Sequence, residues 1–344
     1  MDASECRLCP RNCGADRRKK AEPGIFSRGH GSNAYGFCGE SSTIRISRAA
    51  LHMWEEPVVS GTCGSGTVFF TGCNLRCIFC QNAAISEGGN GREVTPEELA
   101  DTFFSLRDQG AHNINLVTPT HFVPGICDAI RIAKDRGFAL PFVYNTSGYE
   151  SVETLRMLDG LIDVYLPDFK YMDEKKARNY SNAPDYPEVV KAAIAEMFRQ
   201  VGKPLVESQN PDHYKGEIMK TVTENENPDI NGELHLIKRG VIVRHLVLPL
   251  GVKNACAVVD YLSETYGGSI YISIMNQYTP LYDVPGALRP EQRKRLEPYT
   301  ELHRKVTKRE YERVIDHCLE LGLTNVFVQE DDASGANFIP AWDE

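Results

Sequence analysis

Three cysteines within eight residues constrain this chain more than any other feature of its sequence. Cys73, Cys77 and Cys80 form a C-x3-C-x2-C pattern directly after the apolar run 67–70. A loop at the end of a predicted strand can bring three thiolates to one metal group but supplies no fourth protein ligand. Because purely electron-carrying iron–sulfur clusters normally have four protein ligands, three ligands leave one iron open to a substrate or cofactor. The alternatives are a zinc loop or three unrelated buried thiols.

Composition and charge exclude several classes of partner. The fractions of hydrophobic (42%) and charged (25%) residues are those of a globular protein. No run approaches the roughly 20 apolar residues of a membrane helix, and residues 1–6 lack the pattern of a signal peptide. A net charge of -9 argues against nucleic acid as the main partner. We therefore expect a cytoplasmic protein with reduced thiols and without a membrane partner.

A second group of cysteines lies near the N-terminus. Cys6, Cys9 and Cys13 are closely spaced, and Cys38 follows between Phe37 and Gly39. In a reducing compartment such grouping indicates metal binding before disulfides. Four thiolates suit a structural zinc ion or a closed iron–sulfur cluster, and the sequence leaves both open. We predict a cysteine-rich metal-binding segment over residues 1–45.

The rest of the chain alternates apolar strands with amphipathic helices, which indicates a parallel sheet covered by helices. Six such units predict an α/β fold of the partial (β/α)6 barrel type, over residues 58–344. The predicted strands cover 67–70, 113–117, 139–144, 162–166, 241–248 and 270–275, with a short seventh at 325–328. The predicted helices lie between Thr95 and Gly110, over 124–136, 151–158, 187–201 and 253–266, and between Thr307 and Gly322.

Residues 203–236 interrupt this alternation. The segment is rich in Glu, Asp, Asn and Pro and poor in apolar residues. Loops of this length are usually functional or disordered. We predict an exposed polar insertion that makes no substrate contacts.

The cysteine loop resembles that of a known family. The C-x3-C-x2-C spacing, with Phe79 before the last cysteine, is similar to the cluster loop of the radical S-adenosylmethionine (SAM) superfamily. The flanking residues 64–70 and 81–82 resemble more narrowly the pyruvate formate-lyase activating enzymes. The resemblance implies a partial (β/α)6 barrel in which Cys73, Cys77 and Cys80 hold a catalytic 4Fe-4S cluster. The open iron then binds SAM, and one electron cleaves SAM to methionine and a 5'-deoxyadenosyl radical.

The resemblance also implies SAM contacts at the C-terminal ends of the barrel strands, where such barrels carry their chemistry. Asp168-Phe169-Lys170 is similar to the family's Asp-x-Lys, whose aspartate helps to hold a monovalent cation beside the SAM carboxylate. The second strand end, 118–121, departs from the family, which usually has a glutamate there for the amino group of SAM. The expected cofactor-binding residues are Phe79, Thr118, Thr120, Asn145, Thr146, Asp168, Lys170, His245 and Asn276.

For some polar residues the sequence supports more than one interpretation. His52, Glu55 and Glu56 could reach toward the cluster, but hydrogen-bonded structure beside a loop is favoured for them. His121 is a ligand, a proton donor or a capping group.

Three functions remain open at this point. The activating-enzyme resemblance implies hydrogen abstraction from a glycine of a partner glycyl radical enzyme, with a flavodoxin- or ferredoxin-type electron donor. The second is the same chemistry on a peptide or small molecule. The third is a noncatalytic iron–sulfur or zinc protein that carries electrons or organises a complex.

Overall fold

A mostly parallel sheet forms the centre of the chain. The structure is a computed structural model that describes residues 4–18, 36–87, 91–209, 234–282, 284, 288 and 290–329. Within these residues the strands are β1 (Ile44–His52), β2 (Ser65–Phe70), β3 (Arg92–Val94), β4 (Ile114–Val117), β5 (Phe142–Thr146), β6 (Val164–Pro167), β7 (Leu205–Gln209), β8 (Leu234–Leu246), β9 (Tyr271–Met275) and β10 (Val326–Val328).

The strand order is β10-β9-β8-β6-β5-β4-β2-β1-β3, with β7 attached to β8. The neighbours from β2 to β10 along this path are parallel, while β1, β3 and β7 pair antiparallel with their partners. The register pairs Val117 with Asn145 and Thr146 with Pro167. The carboxyl ends of adjacent strands are therefore level, which brings the residues after them to one edge.

Helices cover the outside of this sheet. They are α1 (Pro57–Ser60), α2 (Ala83–Ser86), α3 (Pro96–Asp108), α4 (Val123–Asp135), α5 (Val152–Arg156), α6 (Glu174–Ser181), α7 (Tyr186–Val201), α8 (Val252–Tyr266), α9 (Pro290–Leu296) and α10 (Lys308–Glu320). Capping boxes begin α3, through Thr95 and Glu98, and α10, through Thr307 and Glu310. Each capping hydroxyl typically contributes about 1 kcal/mol to stability. None of the helices in the described part of the chain is both long and apolar enough to cross a membrane.

The short helix α1 lies against the inner face of the sheet. Val58 and Val59 are buried there in an apolar cluster with residues of β5, β6, β8 and β10. The cluster consists of Val58, Val59, Val143, Val164, Leu166, Ile237, Ile242 and Phe327. This apolar cluster fills the inside of the partial barrel, and we call α1 the plug helix. Glu55 and Glu56, just before α1, line the cavity described below.

The predicted fold class is confirmed: an α/β fold with a mostly parallel sheet. Two departures concern strands without strong apolar runs. The strand β1 was not predicted, and most of its residues are only half-buried. Residues 205–209 and 234–236 of the predicted insertion are strand rather than loop, because 205–209 pair antiparallel with 234–239. Residues 210–233 of that insertion lie outside the described residues.

Candidate active site

The three cysteines of the loop after β2 line one cavity of about 240 Å³. Residues at the ends of β2, β4, β5, β6, β8 and β9 complete its walls. Within the loop, Arg76 has a φ of 49°, in the left-handed region that few non-glycine residues adopt. This turn reverses the chain between Cys73 and Cys77 and lets both side chains reach the cavity.

Each of the three sulfurs has a hydrogen-bond donor beside it. The backbone N–H groups of Leu75 and Arg76 lie 3.3 and 3.5 Å from Cys73 Sγ. The Ser181 hydroxyl donates to Cys77 Sγ at 3.1 Å, and the Ser86 hydroxyl contacts Cys80. Donors in these places favour anionic sulfur, which is the form that binds metal.

Burial acts against ionisation of the same thiols. It raises the pKa of Cys73, and it raises the pKa of Cys80 to about 12, with a further contribution from the neighbouring sulfurs. Although burial lowers the pKa of Lys170, the charges of Asp168, Cys77 and Cys80 raise it. Thiolates here therefore need positive charge, and an iron–sulfur group that three cysteines can hold would supply it.

In the part of the chain that the structure describes, no group of three or more His, Cys, Asp or Glu side chains is arranged to hold a metal ion, and this includes the N-terminal cysteines. The donors beside Cys73, Cys77 and Cys80 and their common cavity are the observations that fit these residues to a multinuclear cluster.

A half-buried charge network forms another part of the cavity lining. Arg244 on β8 contacts Asp168 Oδ1 at 3.1 Å through Nε and Glu55 Oε2 at 2.9 Å through Nη1. Its Nη2 donates to Asn145 Oδ1 at 2.6 Å. Lys170 Nζ lies 2.6 Å from Asp168 Oδ2. Although burial raises the pKa of Asp168, the charges of Lys170 and Arg244 outweigh it and hold that pKa below its ordinary value.

The two glutamates before α1 differ in their surroundings. Glu55 accepts hydrogen bonds from Asn115 Nδ2 at 2.9 Å and from Asn145 Nδ2 at 3.3 Å, as well as from Arg244. Its hydrogen-bonded role agrees with the favoured interpretation, yet it also lines the cavity. Glu56 is 2% exposed, and burial raises the pKa of its carboxyl despite the nearby Arg244.

Six of the residues expected to bind SAM line the cavity: Phe79, Thr118, Asn145, Thr146, Asp168 and Lys170. Thr118 has a φ of 57°, so its backbone is strained where β4 ends. That these residues contact SAM stays a prediction.

The structure places Thr120, His245 and Asn276 outside the cavity lining. The Thr120 hydroxyl donates to Glu150 Oε1 at 2.5 Å, within the core. His245 is buried and its Nδ1 donates to the Phe169 carbonyl at 2.6 Å. It follows Arg244 on β8, and because adjacent residues of a strand point to opposite faces, only Arg244 reaches the cavity. The Asn276 backbone N–H donates to Gln329.

His121 also points away from the cavity. Its ring is 2% exposed, and its Nε2 donates to the Thr71 carbonyl at 2.6 Å. Burial lowers the pKa of His121 to about 3, so the ring is neutral near pH 7. The sequence left three interpretations of His121 open, and this geometry fits the one in which it is a capping group.

Glu150 is a buried carboxyl group behind the cavity wall. It accepts hydrogen bonds from the hydroxyls of Thr120, Thr146 and Tyr144. Burial raises the pKa of Glu150 to about 7, and the three hydroxyls act in the opposite direction. Its ionised form is therefore disfavoured in the folded protein relative to the unfolded chain.

This shift predicts a pH dependence of stability. A carboxyl whose folded pKa is raised contributes its full stabilisation below its ordinary pKa and loses it as pH rises through about 7. In the wild type, Glu150 should lower the free energy of unfolding by about 3 kcal/mol between pH 5 and pH 8. We expect the variant Glu150→Gln to lack this decrease. Urea unfolding at several pH values measures this slope.

The exposed Glu264→Gln is the matched control and should keep the wild-type slope. The buried His121 and His245, whose pKa values burial lowers, make stability rise with pH. They are present in every variant, so their effect cancels in the difference. Equal slopes for wild type and Glu150→Gln would contradict the prediction.

The N-terminal cysteines also come together. Cys6 and Cys13 are hydrogen-bonded to each other, which raises the pKa of Cys6 and lowers that of Cys13 to about 5. Cys38 is close enough to raise the pKa values of Cys6 and Cys9 through its charge. A Cβ on Gly36 would lie 2.9 Å from Cys13 Sγ, so glycine permits the approach of the 36–38 segment. That these thiols bind a second metal stays a prediction.

Arg11 fastens this N-terminal segment to the cluster loop. Its guanidinium donates to the carbonyls of Asn74, at 2.8 Å, and Ser181, at 2.8 Å. It also lies 3.9 Å from the ring centroid of Phe37. The segment thus contacts both the loop that carries Cys73 and Cys77 and the residue that donates to Cys77.

The expected cofactor-binding residues did not include Arg244, and for Glu55 the sequence favoured a structural role although it also lines the cavity. A signal for Arg244 was present, because two adjacent polar residues on an apolar strand face opposite sides and a carboxylate such as Asp168 at a strand end favours a cation nearby. No pattern indicated that Glu55 would enter the barrel, since the plug helix α1 has only four residues.

Comparisons with known proteins agree with this site. Residues 67–208 match the family model of the radical SAM superfamily. That range is less than half of the chain and contains the three loop cysteines, Asp168 and Lys170, in agreement with the superfamily resemblance. The narrower resemblance to the activating enzymes receives no support and stays a prediction.

Two curated proteins of Methanocaldococcus jannaschii are similar to this chain. "Uncharacterized protein MJ0674" is 24% identical over 333 residues, which are 94% of this chain and 76% of that protein. "Uncharacterized protein MJ0808" is 26% identical over 248 residues, which are 67% of this chain and 64% of that protein.

Among solved structures, Streptococcus suis SuiB bound to SAM has a TM-score of 0.47 and 14% identity, covering 82% of this chain and 51% of SuiB. SuiB bound to its precursor peptide SuiA has a TM-score of 0.45 and 14% identity, covering 75% and 46%. This chain thus spans about half the length of SuiB. A radical SAM methyltransferase from Sphaerobacter thermophilus has a TM-score of 0.46 and 14% identity, covering 77% and 66%.

Proposed function

We propose that this chain is a radical SAM enzyme in which Cys73, Cys77 and Cys80 hold a 4Fe-4S cluster beside a SAM-binding cavity. The observation that carries the proposal is the convergence of three thiols, each with a hydrogen-bond donor, on the cavity that Lys170 and Arg244 also line. When bound, the cluster and SAM supply a 5'-deoxyadenosyl radical that removes a hydrogen atom from a substrate carbon.

The protein's own residues prepare the site for this chemistry. Lys170 balances negative charge from the sulfurs and from Asp168, and Arg244 fixes Asp168 and Glu55 in place. Phe79 packs edge-on against Tyr180 and Tyr278, with ring centroids 6.1 Å apart in both pairs. These buried rings exclude water behind the cysteine loop and hold its last turn.

The target of hydrogen abstraction has two candidates. The first is a glycine of a partner glycyl radical enzyme, as the activating-enzyme resemblance implies. The second is a peptide or a small molecule. The second is favoured by Glu56, a buried carboxyl that lines the cavity and has no ion pair among the described residues, since a glycine backbone would offer it no charge. Either target fits an electron donor of the flavodoxin or ferredoxin type, and we propose that the protein acts in the cytoplasm.

We also propose that Cys6, Cys9, Cys13 and Cys38 bind a second metal group, either zinc or an iron–sulfur cluster. The hydrogen bond between Cys6 and Cys13 and the proximity of Cys38 support it. Through Arg11, such a group would hold the cluster loop in place.

Release of 5'-deoxyadenosine tests the main proposal. Protein reconstituted with iron and sulfide under anaerobic conditions, then given dithionite and SAM, is expected to form 5'-deoxyadenosine. Chromatography of the quenched reaction measures it, and omission of dithionite is the control. A reconstituted protein that forms no more product than this control would be the noncatalytic metal protein of the third hypothesis.

A further inference from the structure

A chain of two hydroxyl groups leads from the protein core to the sulfur of Cys77. The Ser181 hydroxyl donates to Cys77 Sγ at 3.1 Å, and the Tyr171 hydroxyl lies 2.8 Å from Ser181 Oγ. Tyr171 is 0% exposed and Ser181 is 2% exposed. Cys77 lines the cavity and the other two residues do not, so the two hydroxyls approach the sulfur from the core.

The direction of donation along this chain follows from the acceptor at its end. A thiolate sulfur, free or bound to iron, accepts hydrogen bonds and has no hydrogen to give. Since a hydroxyl has one hydrogen, Ser181 gives it to Cys77, and the phenol of Tyr171 donates to Ser181 Oγ. Burial raises the pKa of Tyr171, and the charge of Cys77 raises it further, so the phenol keeps the proton that it donates.

Neighbouring groups fix the positions of both hydroxyls. The Tyr171 ring packs edge-on against Tyr186, with ring centroids 5.3 Å apart, and its centroid lies 6.3 Å from that of Tyr180. Tyr180 precedes Ser181 in α6, and its carbonyl accepts a hydrogen bond at 2.9 Å from the N–H of Ile78 in the cysteine loop. Donors that are fixed in this way need no reorganisation when negative charge develops on the sulfur.

Donors beside the sulfurs change the electron affinity of a cluster. Hydrogen bonds to the sulfurs are among the factors that set the reduction potential of an iron–sulfur cluster. The reduced cluster carries one more negative charge than the oxidised cluster, so a donor stabilises the reduced form more and raises the potential. A hydroxyl that itself accepts a hydrogen bond donates more strongly. Tyr171 should therefore strengthen the hydrogen bond from Ser181 to Cys77 Sγ.

We propose that Tyr171 is a positioning residue that, by donating to Ser181, raises the reduction potential of the cluster held at Cys77. This inference rests on the proposed function, in which Cys77 is a ligand of that cluster, and adds a residue to it. The step concerned is the uptake of one electron by the oxidised cluster from an external reductant, and no bond of the protein is broken in it. Tyr171 follows Lys170 in sequence, yet only Lys170 lines the cavity. Its effect should therefore be on the potential rather than on the binding of SAM or substrate.

A redox titration of the reconstituted protein tests this proposal. Dithionite reduces the protein in stages under anaerobic conditions and without SAM, and electron paramagnetic resonance measures the reduced cluster at each potential. The variant Tyr171→Phe keeps the ring and removes the hydroxyl, and Ser181→Ala removes the donor to Cys77. Tyr165→Phe is the matched control, because Tyr165 is equally buried and its hydroxyl donates to Gln200 Oε1 at 2.5 Å.

Ser181→Ala should lower the equilibrium constant for one-electron reduction by about 10-fold, which is about 59 mV in potential. Tyr171→Phe should lower that constant by about 3-fold, because the hydrogen bond from Ser181 remains but is weaker. Tyr165→Phe should keep the wild-type potential. The double variant Tyr171→Phe/Ser181→Ala should have the potential of Ser181→Ala, since Tyr171 acts through Ser181.

A potential of Tyr171→Phe equal to that of Tyr165→Phe would overturn the proposal, as would a double variant with a lower potential than Ser181→Ala. The midpoint potential does not depend on the fraction of chains that hold a cluster, so partial loading leaves the comparison intact. Resonance Raman spectroscopy is the second measurement, since a weaker hydrogen bond to Cys77 Sγ should raise the Fe–S stretching frequency in Tyr171→Phe. A Tyr171→Phe protein that binds no iron would make Tyr171 a structural requirement of the site and would also overturn the proposal.

These measurements do not depend on product formation. Protein that releases no 5'-deoxyadenosine but whose cluster potential falls in Tyr171→Phe contradicts the proposed function and keeps the role of Tyr171. Protein that releases 5'-deoxyadenosine while its potential is the same in wild type and Tyr171→Phe does the opposite.

Discussion

Replacing Cys77 with alanine is expected to remove the cluster and to lower 5'-deoxyadenosine formation by more than about 100-fold. Even residues in the outer shell of a metal site typically contribute 10- to 100-fold to metal affinity or activity, and Cys77 is a proposed ligand. Cys77 is half-buried, and Ser181 donates to its sulfur at 3.1 Å. Iron per chain and product per chain measure the two effects after identical anaerobic reconstitution.

The exposed Cys63 provides the matched control. Cys63→Ala also removes one thiol but should keep the wild-type iron content and activity. Ser181→Ala removes only the donor to Cys77 and should lower activity by about 10-fold. This loss is smaller than that expected for Cys77→Ala and larger than that expected for Cys63→Ala. A Cys77→Ala protein that keeps all of its iron and forms product would contradict the role of the loop.

The same metal analysis addresses the N-terminal cysteines. Loss of the loop cluster should remove about four iron atoms per chain from the wild-type content. Zinc or iron that remains bound to Cys77→Ala then belongs to another site, and further replacement of Cys9 and Cys13 should release it. Retention of that metal in the further variant would contradict binding by the N-terminal thiols.

The fold was predictable because its signals are local and repeated. The strands β2, β4, β5, β6, β8 and β9 are apolar because helices cover one face and the barrel interior the other. The capping boxes of α3 and α10 were predicted by the Thr-x-x-Glu pattern and are present. Strands such as β1 and β7 lie outside this arrangement, pair antiparallel at its edges and carry no such signal.

The site was predictable only where chemistry and spacing coincide. Three cysteines in one loop need no tertiary information to indicate a metal group, and Asp168 with Lys170 follows a strand end directly. Arg244 and Glu55 reach the same cavity from positions that are 189 residues apart in sequence. Their contact depends on how β8 and the plug helix α1 are placed, which periodicity within either segment does not define.

His245 shows that a position at a strand end does not by itself predict a residue that lines the cavity. The residue stands at the correct strand end, next to Arg244, and its ring chemistry suits a cofactor contact. The alternation of side chains along β8 directs it into the core, where it donates to the Phe169 carbonyl. One position of register separates a cavity residue from a core residue, and the sequence did not fix that register.

Arg244→Met is expected to lower the free energy of unfolding by about 1–3 kcal/mol, the usual cost of leaving the partners of a charged hydrogen bond unsatisfied, because the network is half-buried. The substitution leaves Glu55 without its cation and Asp168 with Lys170 as its only ion-pair contact within the described residues. Arg244→Lys should lose less but remain below wild type, since one ammonium cannot reach Asp168, Glu55 and Asn145 as the planar guanidinium does.

Urea unfolding near pH 7 measures these differences, with Arg131→Met as the matched control. Arg131 is exposed and pairs with Asp128 on the surface of α4, so its loss should cost less than about 1 kcal/mol. The deficit of Arg244→Met should also shrink as pH falls toward 4, because the carboxylates that it strands become protonated in the folded state. An Arg244→Met protein as stable as Arg131→Met, or a deficit that does not change with pH, would mean that the charge network does not stabilise the cavity wall. Because SAM and substrate are proposed to bind against that wall, the same variant should bind both more weakly at pH values where it is still folded.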